Sequence, residues 1–137
     1  MIELIMMFFL NTEYNKVADI ITAQSILETG WYKSEVHNKK HNYFSLKGNE
    51  NPECSKPICR LRTFRTTEQG LFAQLSYYRN KHYPTNRKGF INALKSKGYA
   101  EDKNYIKKVL NIARGVNNAK QIKQRSSKNC KEKREIL

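Results

Sequence analysis

Acidic residues are scarce in this chain: 12 Asp and Glu stand against 26 Lys and Arg among 137 residues, a formal charge of +14. The imbalance says little about fold, but an excess of this size attracts polyanions. Nucleic acid, an anionic membrane surface and an anionic cell-wall polymer all satisfy it. Long apolar runs are also missing. Nothing approaches the roughly 20 residues of a spanning helix, so no membrane span is expected. No internal repeat is present, and no recognised nucleic-acid module is visible. Tryptophan occurs once, at Trp31, and cysteine three times, at Cys54, Cys59 and Cys130. The opening stretch MIELIMMFFLNTEYNK lacks the marks of an export signal. Glu3 stands where a basic region belongs, the apolar run is short, and no small-residue cleavage site follows. The stretch reads instead as an amphipathic first helix packed on the core.

What is present fits one folded domain, long enough to bury a core. Val17, Ile20, Ile21, Gln24, Leu27 and Glu28 make a helical stripe, with Thr12 or Asn15 as its cap and Gly30 as its stop. Thr66-Thr67-Glu68-Gln69 has the form of a capping box and opens a second stripe of Leu71, Phe72, Leu75 and Tyr78, which ends before Pro84. A third helix runs from about Asn86, with Phe90, Ile91 and Leu94 inward, and closes at Gly98. A fourth follows the cap Asp102, buries Ile106, Val109, Leu110 and Ala113, and closes at Gly115. Residues 38 to 64 carry Gly48, Pro52, Pro57 and the alternating piece Ile58 to Phe64. They read as a long loop with a short β-hairpin at about 48–64. The fold class expected is therefore mainly α, a helical domain over residues 1–116 with one partly β excursion. Residues 117–137, with Lys120, Lys123, Arg125, Lys128, Lys131, Lys133 and Arg134, form a basic tail expected to fray.

The piece AQSILETGW, residues 23–31, carries the chemistry. Glu28 lies in the last turn of its helix, four residues after Gln24 and seven after Ile21, at the edge of the buried stripe. Partial burial and the negative end of the helix dipole both disfavour its carboxylate. A carboxylic acid that keeps its proton near neutral pH suits general acid catalysis. A solvated Glu28, or one paired with Lys33, is the bland alternative that position alone leaves open. Trp31 and Tyr32, then His41-Asn42-Tyr43-Phe44, add aromatic faces beside polar groups, an arrangement that holds sugar rings as well as cores.

AQSILETGWYKS resembles the segment Ala-Gln-x-x-x-Glu-[Ser/Thr]-Gly-Trp/Asn/His-x-[Lys/Arg]-Ser of the N-acetylglucosaminidases in family 73 of the glycoside hydrolases. Residues His41 to Gly48 resemble that family's Asn-Asn-Leu/Tyr-Phe-Gly-[Ile/Leu]-Lys block. Phe64-Arg65 followed by Thr66-Thr67-Glu68, and Leu94 to Leu110 with Gly98-Tyr99-Ala100-Glu101-Asp102 and Tyr105, match two further blocks in the same order. Two positions depart from the pattern: His41 replaces Asn, and Ser45 replaces a Gly whose freedom would matter at positive φ. The resemblance implies a lysozyme-like fold and hydrolysis of peptidoglycan glycan strands at the β-1,4 bond after N-acetylglucosamine, with Glu28 as the acid. It gives Tyr99 a role in orienting substrate, and places Trp31, Asn42, Tyr43, Phe44 and Lys47 in the cleft floor. The second participant is left open between Glu53, Glu50 and the substrate's own 2-acetamido group.

No cofactor and no metal are expected for such chemistry, and a monomer is expected. Cys54 and Cys59 are compatible with a disulfide, with free thiols, or with a zinc site shared with His37 and His41. Cys130 has no obvious mate. A basic nucleic-acid-binding module explains the charge but requires no acid in AQSILETGW. A catalytically inactive wall-binding domain fits if the second acid is absent. The substrate places the action outside the cytoplasmic membrane, in periplasm, wall or medium. The export route is open between a phage lysin, a secreted cargo and a bacterial autolysin whose leader lies elsewhere.

Overall fold

One helix is buried on every side, and the others pack around it. The computed structural model describes residues 1–48 and 56–119. Its helices are α1 (Ile2–Leu10), α2 (Ala18–Thr29), α3 (Glu35–Lys39), α4 (Thr67–Asn80), α5 (Arg87–Ser96) and α6 over 105–119. Every residue of α2 from Ala18 to Ile26 is buried, and so is Thr29. The expected stripe is therefore only part of the truth, because a helix buried all round belongs to the centre of a fold. Ile20, Ile21 and Ile26 are fully buried there, each contributing roughly 1.5–3 kcal/mol.

The polar residues of α2 are the reason its burial was hidden. Thr22 donates to the Ala18 carbonyl at 2.7 Å, Ser25 to the Thr22 carbonyl at 2.6 Å and Thr29 to the Ser25 carbonyl at 2.8 Å. Each hydroxyl is satisfied within the helix, so it enters the core without an orphaned group. Gln24 is fully buried. Its Oε1 accepts from the Tyr78 hydroxyl at 2.6 Å and its Nε2 donates to the Tyr105 hydroxyl at 3.2 Å, tying α2 to α4 and α6. Asp19 accepts from Arg87 of α5 and from Asn117 of α6, both at 2.8 Å. Replacing Gln24 with Leu keeps the volume and deprives two phenols of their partner. We expect a loss of about 2–3 kcal/mol, read as a lower urea midpoint at unchanged slope.

Tyr78 is the hub of an aromatic core, its ring meeting Phe9, Tyr14, Tyr83 and Phe90. The helix starts at Thr66 and Asn86 form as expected: Thr66 Oγ1 accepts from the Gln69 N–H, and Asn86 Oδ1 from the Gly89 N–H. The return bond of the capping box runs to Arg65, whose N–H donates to Gln69 Oε1. Neither Thr12 nor Asn15 caps α2. Val17 holds that position without a side-chain bond, while Thr12 Oγ1 accepts from the Tyr14 N–H and orders the turn before it.

Four further expectations need correction. α1 buries Ile5, Met6 and Phe9, but Leu4 and Met7 on its other side are exposed, so its outer face is apolar as well. The short helix α3 was not foreseen. Its signal was Ser34, whose hydroxyl accepts from the His37 N–H. The alternating piece from Ile58 is not a strand throughout, since Pro57–Arg60 forms a 3-10 turn closed by Cys59 N–H to the Lys56 carbonyl. Among the described residues the hairpin is reduced to one antiparallel bridge, Lys47 with Leu61. Finally, α6 passes through Gly115 and continues to 119. Nothing lies within 4 Å of a methyl group placed on Gly115, and Asn117 bonds Asp19, so the chain there has reason to stay helical. Glu50, Glu53, Cys54, Cys130 and the tail beyond 119 lie outside the described residues.

Candidate active site

α2 ends in an unusual way. Gly30, Trp31 and Tyr32 have φ of 57, 59 and 62°, three successive left-handed residues of which only the first is glycine. A left-handed non-glycine residue costs roughly 1–2 kcal/mol, so this turn must be held. The Trp31 N–H donates to the Ile26 carbonyl at 2.9 Å and the Tyr32 N–H to Thr29 Oγ1 at 2.9 Å. Asn38 Nδ2 donates to the Tyr32 carbonyl at 2.9 Å, and the Tyr32 hydroxyl bonds Ser25 Oγ at 2.6 Å. The result leaves Trp31 57% exposed, three residues from Glu28.

The loop of residues 42–48 is built by Asn42. Its Oδ1 accepts from the Leu46 N–H, and its Nδ2 donates to the Leu46 and Arg62 carbonyls. Asn42 is 1% exposed, so its amide is used within the protein. Phe44 is buried against Phe9, and Tyr43 is buried with its hydroxyl on Thr67 Oγ1. All three side chains are buried and pack within the protein. Ser45 has φ of 58°, which is why a glycine would sit easily at this position. Lys47 is exposed.

Glu28 is half-buried at the end of α2. Burial raises its pKa above the usual carboxylate value, while a hydrogen bond from Ser45 and the Lys47 ammonium pull it back. Its charge neighbour is Lys47, not the adjacent Lys33. Glu28 also acts on Tyr99 and Tyr105, whose rings stack at 5.6 Å. Burial first, then neighbouring tyrosines and the Glu28 charge, hold both phenols above the ordinary range. Tyr99 therefore stays un-ionised. Its hydroxyl accepts from Gln74 Nε2 at 3.1 Å, leaving its own hydrogen to donate. An open depression of about 640 Å³, lined by Lys47, Gly48, Leu61, Arg62 and Thr63, adjoins this group through Lys47. It does not include Glu28 in its lining.

The structure thus brings Glu28, Lys47 and Tyr99 together, leaves Trp31 at the surface, and turns Asn42, Tyr43 and Phe44 inward. Glu53 lies outside the described residues. Gln74 and Tyr105, which hold or stack on Tyr99, were missed as site residues. So were His37 and Ser45 as a pair. Tyr105 at least carried a signal, being part of a motif block; a glutamine inside a helical stripe carries none. Among the described residues no three His, Cys, Asp or Glu side chains gather as a metal site. Cys59 is disulfide-bonded, which removes it from the zinc arrangement considered above.

A carboxyl whose pKa is raised by burial, beside a neutral phenol, suits the protonation of the oxygen between two sugars, the chemistry of a glycoside hydrolase. The chain belongs to the glucosaminidase family: the profile described as mannosyl-glycoprotein endo-beta-N-acetylglucosaminidase matches residues 9–118. A peptidoglycan hydrolase of Pseudomonas aeruginosa, FlgJ, is 29% identical over 123 aligned positions, covering 71% of this chain. The chain spans 31% of that relative's length. The glycoside hydrolase domain of Salmonella typhimurium FlgJ superposes with a TM-score of 0.57 at 20% identity, covering 96% of this chain and 97% of that domain. That likeness establishes the fold.

Proposed function

We propose that this domain hydrolyses the β-1,4 bond that follows N-acetylglucosamine in peptidoglycan strands, with Glu28 as the general acid. The observation that carries the reading is the half-burial of Glu28 in the last turn of α2, which raises its pKa. Protonated Glu28 gives its proton to the glycosidic oxygen as the bond from C1 breaks, so the leaving sugar departs as a neutral alcohol. The positive charge at C1 is met by a second group, either Glu53 or Glu50 or the carbonyl oxygen of the substrate's 2-acetamido group. Water then supplies the hydroxyl at C1 and its remaining proton returns to a carboxylate. The Tyr99 hydroxyl donates to the sugar that is being cleaved and fixes its orientation. Trp31 offers a ring for a sugar face, and Lys47 with Arg62 offers charge to anionic groups of the wall. The excess of cations concentrates the enzyme on anionic polymer, and the Pseudomonas relative, a peptidoglycan hydrolase by name, supports this substrate. Action on such a polymer lies outside the cytoplasmic membrane. No helix of the described residues is long and apolar enough to cross one.

Mass analysis of muropeptides after digestion of purified peptidoglycan tests the reading. New reducing ends should be N-acetylglucosamine. Muramic acid at the reducing end would instead make the domain a muramidase. Wall binding without release of any reducing end would make it an inactive binding domain.

A further inference from the structure

The departure at position 45 links the acid to a buried histidine. His37 of α3 is 9% exposed, and its two ring nitrogens are both engaged. Nδ1 lies 2.6 Å from Ser34 Oγ, and Nε2 lies 2.8 Å from Ser45 Oγ. The Ser45 side chain in turn acts on the Glu28 carboxyl as a hydrogen-bonding neighbour that lowers its pKa against burial. We propose that Ser34, His37 and Ser45 form a directed hydrogen-bond relay that holds and tunes Glu28, with His37 and Ser45 as positioning residues. This rests on Glu28 being the general acid.

The direction follows from the donors available. Ser34 Oγ already accepts from the His37 N–H, so its own hydrogen is free to point at Nδ1. Burial lowers the His37 pKa and so favours the neutral ring, and a Ser34 hydrogen pointed at Nδ1 leaves the ring's own hydrogen on Nε2. That hydrogen goes to Ser45 Oγ, and the Ser45 hydroxyl hydrogen goes to the Glu28 carboxylate. Hydrogen bonds aligned in one sense reinforce each other. Each also favours the ionised carboxylate, against the burial that favours the acid. The groups that interact with Glu28 are Ser45 and Lys47 from the loop and the phenols of Tyr99 and Tyr105. His37 faces the Ser34 and Ser45 hydroxyls, while Glu35 and Lys39 of its own helix are exposed. Ser45 holds a left-handed backbone to do this, a conformation glycine adopts without strain.

That strain supplies a clean variant. Ser45→Gly fits the backbone better than the parent and removes the CH2OH side chain with its hydroxyl, whereas His37→Phe keeps a ring and removes both bonds. The Glu28 carboxyl is followed by carbon-13 NMR, assigned through Glu28→Gln. It should titrate about 0.5–1 pH unit higher in Ser45→Gly, the worth of one such hydrogen bond. His37→Phe should move it in the same direction, and the double variant should add nothing to Ser45→Gly. The alkaline limb of kcat/KM should move up with it, because only protonated Glu28 works. At pH 8 the nitrogen-15 shifts of His37 should report the hydrogen on Nε2. A titration unmoved by Ser45→Gly, or moved by it and not by His37→Phe, overturns the relay, as does a hydrogen on Nδ1. Full activity in Glu28→Gln overturns the catalytic assignment instead, and the carboxyl titration reads the relay whichever way that falls.

Discussion

Glu28→Gln is expected to lower kcat/KM on peptidoglycan by about 10³-fold, within the range supplied by a positioned general acid, while making the protein more stable at neutral pH. The two effects have one origin. Folding raises the Glu28 pKa above its reference of 4.5 because burial disfavours the charge. The folded state therefore binds this proton more tightly than the unfolded chain does. Below 4.5 both states are protonated and Glu28 carries no penalty. As the pH rises through the window between the unfolded and folded values, the unfolded chain gains charge freely and the folded one does not. Stability falls through that window and stays lower above it. Glutamine keeps the shape and cannot ionise. The difference in melting temperature, variant minus parent, should be near zero at pH 4 and positive at pH 7.5. A variant that digests walls at the parental rate removes Glu28 from the chemistry. A flat difference in melting temperature across that range removes the burial argument.

The gain also shows why this acid could be found from the sequence. An apolar helix that ends in a carboxylate works against its own stability, and that conflict was visible in AQSILETGW. The helix starts at Thr66 and Asn86 were equally legible, since a capping side chain acts within three residues of itself. The all-round burial of α2 was not. Thr22, Ser25 and Thr29 read as a polar side because nothing local says their hydroxyls bond back to carbonyls one turn earlier. The left-handed turn at Trp31 and Tyr32 was equally hidden. Its first residue, Gly30, was foreseen as a stop, but the strain in the next two is supported by Asn38 and Ser25, which lie at a distance in sequence. Gln24 and Gln74 have no local reason to be buried either. Their partners, Tyr78, Tyr105 and Tyr99, come from later helices and the turn between them.

Asn42 and Ser45 illustrate two uses of the same loop. The motif block covers both positions, Asn42 as a cleft residue and Ser45 as a departure from glycine, without saying what either side chain bonds. The structure separates them by what their side chains bond. Asn42 closes three bonds to backbone and builds the loop, while Ser45 bonds side chains on both of its flanks and joins the acid to α3. A substitution at Asn42 should thus register as lost stability, and one at Ser45 as a displaced pH profile.

Two of the three glycines inside helices, Gly70 and Gly115, should respond to alanine with opposite signs. Gly70 is buried in the first turn of α4, where an added Cβ would run into the His41 carbonyl oxygen and stand 3.4 Å from Phe64 Cδ2. The clash is with backbone, and that backbone cannot easily retreat. His41 is itself left-handed, with φ of 48°. Its N–H is bonded to Asn38, and the next N–H, of Asn42, to the His37 carbonyl. Gly70→Ala must therefore push α4 away from the loop of residues 41–48, and α4 carries both Gln74 under Tyr99 and Tyr78 at the hub of the core. We expect a loss of about 4 kcal/mol, beyond the ~1–3 kcal/mol of ordinary overpacking, which is a large part of a small domain's stability. Gly115 lies exposed in α6, and a methyl group added there meets nothing within 4 Å, so Gly115→Ala should stabilise by about 0.5–1 kcal/mol through helix propensity alone. Urea unfolding of the two variants beside the parent decides the matter. Equal effects of one sign would mean that the approach of α4 to His41 does not constrain the fold, and with it the spacing between the Ser45 loop and Gln74.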